Sequence, residues 1–446
     1  MTAVRTPAEP AAEQAAASTA DNATITARLR DAERAVQECL VALAPETPSG
    51  FSPAGAEAFS ESAPEVSVVM PCLNEADTLE VCIEKAQHAM NEAGIFGEVI
   101  VADNGSTDGC QELARALGAR VIDVEEKGYG SALMGGITAA RGKYVIMGDA
   151  DDSYDFLEVP KFVEQLRAGH ELAQGCRLPS GGGTILPGAM PFLHRWWGNP
   201  MFSWMVRGMF RAPIHDVYCG LRGFTRELYD RLDMRCTGME FATEMIIKCS
   251  LFGAKTAEVP TTLHPDGRKA HAPHLRTFRD GWRTLRFFLM YSPKWLFMVP
   301  GIVLMLLGAT GYALALPGAT VMGASLDAHT LLVASLTLLL GSQLLQFALF
   351  AKTFAISEGL MPASKRLTAF FHRMPLERWL LVGGGAFAIG GAMIAKTFTG
   401  WWSAGFGALD YAATMRQVIP GVTLAALGCQ AAFAGFFLSI LRTARK

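Results

Sequence analysis

The sequence predicts an α/β domain with a mostly parallel sheet, followed by an all-α membrane domain of four transmembrane helices. Between Val66 and about Pro260 short β-rich runs alternate with helical ones, the pattern of crossover units on a parallel sheet. Those runs are continuously apolar, as expected when helices cover both sheet faces. After Trp295 come four apolar stretches near or above the roughly 18 residues that read as a bilayer-spanning helix.

The chain divides accordingly. Residues 1–64 form an Ala-, Pro- and Thr-rich extension with little to bury, interrupted by one amphipathic helix at about 23–43 that places Ile25, Leu29, Ala32, Val36 and Leu40 on one face. Residues 65–265 form the sheet domain, 266–294 a basic juxtamembrane segment, and 295–446 the membrane domain, with spans at about 295–317, 330–351, 379–395 and 418–441. The third span is the shortest.

In the sheet domain VSVVM precedes a helix from Glu75, EVIVA a helix after Gly109, and ARVIDV a helix after Gly130, while KYVIMG runs into an acidic turn. Ligands of such sheets bind at the carboxyl ends of the strands. In the membrane domain, Arg286 and Lys294 precede the first span, Lys352, Lys365, Arg366, Arg373 and Arg378 lie between the second and third, and Arg442, Arg445 and Lys446 end the chain. The intervening loops carry only Lys396 and Arg416, so the positive-inside rule predicts cytoplasmic termini and a cytoplasmic sheet domain. No ionisable residue sits at mid-depth, which argues against transport, and Gln343 and Gln346 read as interhelical glue.

A net charge of -3 supplies no basic field for a nucleic acid. Nine cysteines without a CxxC pair suggest reduced thiols and neither a zinc site nor a disulfide framework. The opening MTAVRTPAEPAAEQ has no apolar stretch of the kind a secretory signal needs. His264, His271 and His274 cluster without the spacing of a metal motif.

The strongest chemical signal is Gly148-Asp149-Ala150-Asp151-Asp152, directly after a strand. Asp149, Asp151 and Asp152 are candidate catalytic carboxylates. Three such groups repel one another unless a hard cation or sugar hydroxyls compensate them, and Asp149 and Asp151 suit a Mg²⁺ or Mn²⁺ that also holds two phosphates. A solvated acidic turn capping the next helix is the plainer alternative. Two other strand ends carry Pro71-Cys72-Leu73-Asn74-Glu75 and Asp103-Asn104-Gly105-Ser106-Thr107-Asp108-Gly109. Asp103 supplies a carboxylate for a base N–H, and Ser106 or Thr107 a helix start suited to anions. With Lys127-Gly128-Tyr129-Gly130 they outline a nucleotide pocket.

These four segments, in order and spacing, resemble glycosyltransferase family 2, nearest its polyprenyl-phosphate (dolichol-phosphate) sugar synthase branch of the multi-span type. The likeness covers about residues 66–290. It implies a GT-A-like, Rossmann-like nucleotide-sugar-binding domain, with Pro71, Asn74, Glu75, Asp103, Ser106, Lys127 and Gly128 on the donor side and Asp149 and Asp151 at the metal. Asp152 stands where several members carry other residues, so its role is open. Gly175-Cys176-Arg177, Asp216, Gly220-Leu221-Arg222-Gly223-Phe224, Glu240 to Glu244 and Glu258-Val259-Pro260 are also similar to that branch. The implied donor is of the UDP-glucose or GDP-mannose type, and the implied place is a bacterial or archaeal-type plasma membrane.

A lipid-phosphate acceptor has an independent chemical reason. A phosphate monoester is already largely dianionic near neutrality, so it needs cationic positioning and no general base. Arg177, Arg195, Arg268 and Lys269 are the candidates. Arg195 lies in the Trp-rich MPFLHRWWGNPMFSWMVRGMF, whose composition suits the headgroup level of a bilayer. A processive polysaccharide synthase would carry Gln-x-x-Arg-Trp, and neither Arg195-Trp196 nor Arg378-Trp379 has Gln at that offset. A non-catalytic transporter or scaffold conflicts with the intact acidic turn. Small-residue faces such as GGGAFAIGGA suit helix packing within one chain or between chains, so a homo-oligomer is compatible.

Overall fold

The computed structural model describes residues 63–268, 277–321 and 323–443. The expected N-terminal helix at 23–43, together with Lys269, His271 and His274, lies outside them. The sheet domain begins β1 (Val66–Cys72), α1 (Leu79–Glu92), β2 (Gly97–Asp103), α2 (Cys110–Ala116), β3 (Arg120–Asp123), α3 (Tyr129–Ala139) and β4 (Tyr144–Met147). It continues through α4 (Val159–Arg167), β5 (Leu172–Cys176), β6 (Thr184–Ile185), α5 (Asn199–Phe210), β7 (Arg222–Thr225), α6 (Arg226–Leu232), α7 (Phe241–Phe252), β8 (Thr256–Pro260) and β9 (Thr262–Leu263).

The seven-stranded sheet runs β3-β2-β1-β4-β7-β5-β8. All its strands are parallel except β7, which is antiparallel to both β4 and β5. The continuous apolar runs have the predicted consequence. Val66, Val68 and Met70 of β1 enter one core with Leu79 and Ile83 of α1 and Phe162 of α4. Val69 enters the other with Leu133 and Ile137 of α3 and Phe241 and Met245 of α7. Each such fully buried side chain contributes about 1.5–3 kcal/mol. Because Met147 of β4 pairs with Arg222 of β7, the chain entering β7 from Gly220 passes directly beside Asp149. That is the sheet's one topological departure, and it forms a wall of the site.

Helix α8 (Thr277–Met290) buries Phe288 in the second core, edge-on to Phe202 at 5.9 Å. The helical region follows: α9 (Val299–Ala315), a short hairpin of β10 (Thr320–Val321) and β11 (Ala324–Ser325), α10 (Ala328–Ser357), α11 (Lys365–Arg373), α12 (Leu376–Ser403) and α13 (Tyr411–Thr443). Four helical stretches, Lys294–Ala315, Ala328–Ser357, Leu376–Ser403 and Tyr411–Thr443, are long and apolar enough to cross a membrane. The third runs for 28 residues, so the apolar stretch 379–395 is only its middle. Lys396 interrupts the hydropathy there without interrupting the backbone. Tyr312 of α9 shares its hydroxyl with Ser335 of α10 at 2.7 Å and Thr423 of α13 at 3.0 Å, which ties three helices together by neutral groups. Of the glycines in GGGAFAIGGA, Gly383 and Gly390 face α13 inside the chain, where a Cβ would stand 2.6 and 2.4 Å from the carbonyls of Gly428 and Gly421.

Candidate active site

Three strand ends meet at the carboxyl edge of the sheet. After β1, Asn74 takes a left-handed backbone at φ 60°, which turns the chain into the α1 approach. Its N–H donates to Ser106 Oγ at 2.9 Å, and its Oδ1 accepts from Thr107 N–H at 2.9 Å, so the first two motifs brace each other. Ser106 is therefore engaged in the scaffold. Pro71 lies within β1 opposite Ala102, a backbone position with no N–H to offer.

After β2, the buried Asp103 accepts from Gly105 N–H at 2.9 Å, Ser106 N–H at 3.1 Å and Gln111 Nε2 at 2.6 Å. Burial alone would raise its carboxyl, but these hydrogen bonds hold it below the usual range. Asn104, inside the second motif, joins the second and third segments. Its Nδ2 donates to Val124 O at 3.0 Å and Glu126 O at 2.8 Å, and its Oδ1 accepts from Gly128 N–H at 2.8 Å. Lys127 Nζ donates to Asn104 O at 2.6 Å and passes so close to Gly105 that a Cβ there would lie 2.1 Å from it. Cys72 and Cys110 lie buried beneath this end, their sulfurs 3.3 Å apart and beside Asp103.

After β4, Asp149 and Asp151 take different partners. Asp149 Oδ1 accepts from the Tyr129 hydroxyl at 2.8 Å, and a Cβ at Gly220 would stand 2.7 Å from its Oδ2. Burial, together with the charge of Asp151, pushes the Asp149 carboxyl up to about 6, although Tyr129 opposes the shift. Asp151 Oδ1 accepts from Ser153 N–H at 3.0 Å and Ser153 Oγ at 2.6 Å, and its Oδ2 lies 3.1 Å from Arg268 Nη1. Two hard carboxylates on one turn, one resisting ionisation because it is buried and faces the other, could hold a divalent cation.

Asp152 differs. In a left-handed conformation at φ 57°, it pairs with Lys85 of α1 at 2.7 Å. That pair links α1 to the acidic turn.

The expected phosphate-binding arginines also separate. Arg177 is buried, and its Nε lies 2.7 Å from Asp216 Oδ2 and its Nη2 3.0 Å from Asp216 Oδ1. Its Nη1 donates to the Tyr154 hydroxyl at 3.2 Å, which in turn accepts from Gly220 N–H at 2.8 Å. The guanidinium fork is thus engaged within the protein, at the wall beside Asp149. Arg268 reaches in from the segment after β9, donating from Nε to Glu75 at 2.9 and 2.8 Å while also facing Asp151. One cation thus joins the first motif to the acidic turn. Arg195 sits at the start of an exposed aromatic ridge, its guanidinium 5.6 Å from the Trp196 ring centre. Helix α5 buries Val206 and Phe210 but leaves Trp204 67% exposed, and Trp197, just before the helix, is 68% exposed, so core packing does not account for those rings.

The start of α3, which carries Tyr129, is held by the loop before α7. Ser131 N–H donates to Thr237 O at 3.0 Å, and the loop carrying Thr237 is gripped by the buried Glu244, which accepts from Cys236 N–H at 2.8 Å, pairs with Lys248 at 2.8 Å and accepts from the Tyr291 hydroxyl at 3.0 Å. The other family-like carboxylates also have partners within the protein: Glu258 binds His215 Nδ1 at 2.6 Å, and Glu240 binds Arg283 at 2.9 Å.

Known proteins agree with this architecture. Residues 67–233 match the glycosyl transferase family 2 model, and 349–442 match the glycosyltransferase family 2 C-terminal transmembrane region. The chain is similar to the low-salt glycan biosynthesis hexosyltransferase Agl6 of Haloferax volcanii, 39% identical over 86% of this chain and 91% of that protein. A dolichyl-phosphate hexose transferase of the same organism is 32% identical over 44% of this chain and 81% of its own length. Among solved structures, the glucosyl-3-phosphoglycerate synthase of Mycobacterium tuberculosis, crystallised with Mn²⁺ and UDP, aligns over 51% of this chain and 78% of that one at 21% identity and a TM-score of 0.38, a distant likeness from which no ligand is carried over. The chain belongs to glycosyltransferase family 2, as an integral membrane member in which the transferase domain precedes the family's C-terminal transmembrane region.

Proposed function

We propose that this glycosyltransferase moves a hexose from a nucleotide-sugar to a polyprenyl phosphate at the cytoplasmic membrane face, with inversion at the anomeric carbon. One observation carries the reading: the carboxylates Glu75, Asp103, Asp149 and Asp151 gather at neighbouring strand ends in a domain that also bears an exposed Trp and Arg ridge and continues into four apolar helices. A soluble sugar acceptor would need no such ridge.

In this mechanism an acceptor phosphate oxygen forms a bond to the sugar C1 while the bond from C1 to the nucleoside diphosphate breaks, and no proton has to be removed from the nucleophile. Asp103 and the Asn74 turn hold the nucleoside, and Lys127 with the Gly128 N–H lines the adjoining loop. A Mg²⁺ or Mn²⁺ bound by Asp149 and Asp151 would neutralise charge on the departing diphosphate. Arg195 presents a cation at the ridge for the acceptor phosphate, and Arg268 works from the wall between Glu75 and Asp151. Both UDP-glucose and GDP-mannose suit the pocket, because Asp103 and the Pro71–Glu75 turn read no unique base edge.

The test is to incubate membranes containing the protein with labelled nucleotide-sugars and polyprenyl phosphate and then extract lipid. Label should appear in a single-hexose lipid, and Asp151→Ala should lower the rate by about two to three orders of magnitude. Label confined to a polymer or to water-soluble product would overturn the acceptor assignment.

A further inference from the structure

Helix α11 lies in the connection between two candidate membrane spans, α10 and α12. Its two sides differ sharply. Leu367 and Phe371 are buried against Leu438 of α13, with Leu349, Phe350 and Trp379 packed around them. Lys365, Arg366, His372 and Arg373 are exposed on the remaining surface. Arg442, near the end of α13, places its guanidinium 4.7 Å from the Phe371 ring centre. Arg378, in the first turn of α12, donates to the Arg373 carbonyl. The cations of three segments therefore converge at one end of the helical bundle.

Residues 352–378 hold five Lys or Arg and only two carboxylates, Glu358 and Glu377. Among the described residues, none of Lys365, Arg366, Arg373, Arg378 and Arg442 forms an ion pair with a carboxylate, whereas of the two cations toward the opposite end, Lys396 and Arg416, the latter is paired with Asp327 at 3.1 Å. Lys365 and Arg366 also occupy the first turn of α11, where the helix dipole disfavours positive charge unless an anion lies nearby. The transferase domain is at this same end, since Arg235 Nη2 donates to the carbonyl of Glu358 just past α10, at 3.0 Å.

We infer that α11 is a docking surface for anionic phospholipid headgroups on the membrane face that carries the transferase domain. The occupant follows from charge and place. A helix anchored by Leu367 and Phe371 between two spans lies at headgroup depth, and its outward cations lack internal counter-charges, so lipid phosphates supply them. This surface is built from residues of the helical region alone and is separate from the donor pocket.

The test uses the full-length protein, purified in detergent and stripped of lipid, with headgroup-labelled phosphatidylglycerol and phosphatidylcholine as probes and no sugar donor present. Wild type should retain phosphatidylglycerol over phosphatidylcholine by roughly tenfold or more at low salt, with the preference falling as salt rises. The triple variant Lys365→Gln/Arg366→Gln/Arg373→Gln should lose that preference, while Lys365→Arg/Arg366→Lys/Arg373→Lys, which keeps the charge, should keep it. No preference in wild type, an undiminished preference in the glutamine variant, or displacement by equimolar short-chain polyprenyl phosphate would each overturn the inference. Because no donor is used, the result is independent of the transfer reaction.

Discussion

The transferase domain and the helical region treat positive charge in opposite ways. In the former, Arg177 is buried on Asp216, Lys248 on Glu244, and Arg268 between Glu75 and Asp151. In the latter, Lys365, Arg366 and Arg373 stand exposed without a carboxylate partner. A cation buried with its counter-charge fixes the protein's own walls, because removing either member strands the other in a low dielectric. An unpaired cation at a membrane end has its counter-charge outside the chain.

The contrast breaks most visibly at Asp216. Asp216→Ala leaves Arg177 buried alone and should cost about 3–5 kcal/mol, measured as a fall in Tm of the purified protein. Adding Arg177→Met should recover a large part of the loss, since an apolar pair tolerates burial. An unchanged Tm for the single variant would mean that the pair is not closed in the folded protein.

A smaller effect is expected at Tyr129. The Asp149 carboxyl, pushed up to about 6, is protonated as pH falls through that value, so transfer that depends on its charge should fade on the acid side. Tyr129→Phe removes a hydrogen bond that stabilises the ionised form and should move that acid limb upward by about one pH unit, from a bond worth roughly 1.5–3 kcal/mol reduced by solvent access. Raising Mg²⁺ should move the acid limb of wild type and variant alike to lower pH, because cation and proton compete for the same oxygen. A pH profile identical to wild type would remove Tyr129 from the site's electrostatics. The smallest effect belongs to the helical region: Arg373→Gln should change stability by under about 0.5 kcal/mol, read as Tm in neutral detergent.

The sequence disclosed those parts of the fold that rest on short-range pattern. Continuous apolar runs announced β1, β2 and β4, and the residues just after each run marked where chemistry gathers, because a parallel sheet presents its strand ends on one edge. What stayed hidden depends on long-range pairing. Arg177 and Asp216 are 39 residues apart, and only the antiparallel entry of β7, a four-residue strand with Arg and Gly in it, brings them together. Lys85 gives no sign in sequence that it holds Asp152, and Tyr129 reads as one more residue in a Gly-rich turn. Asn104 stands in a motif, but its part is hidden for a related reason: it makes three hydrogen bonds to the chain about twenty residues on, none of which a motif records.

The glycines joining α12 to α13 carry a consequence for the membrane half. Gly383 and Gly390 are seven residues apart, as are Gly421 and Gly428, and each would set an added Cβ within 3.2 Å of the facing backbone or side chains. Two such points one heptad apart act as a vernier: sliding either helix along the other by a single step would drive side chains into main-chain carbonyls. These close approaches fix the depth of α13 relative to α12 by shape. Gly384, Gly385 and Gly391, with open space where a side chain would go, are free to vary. Identical letters in one triplet thus carry opposite tolerance to alanine, and the difference is legible only from across the helix pair.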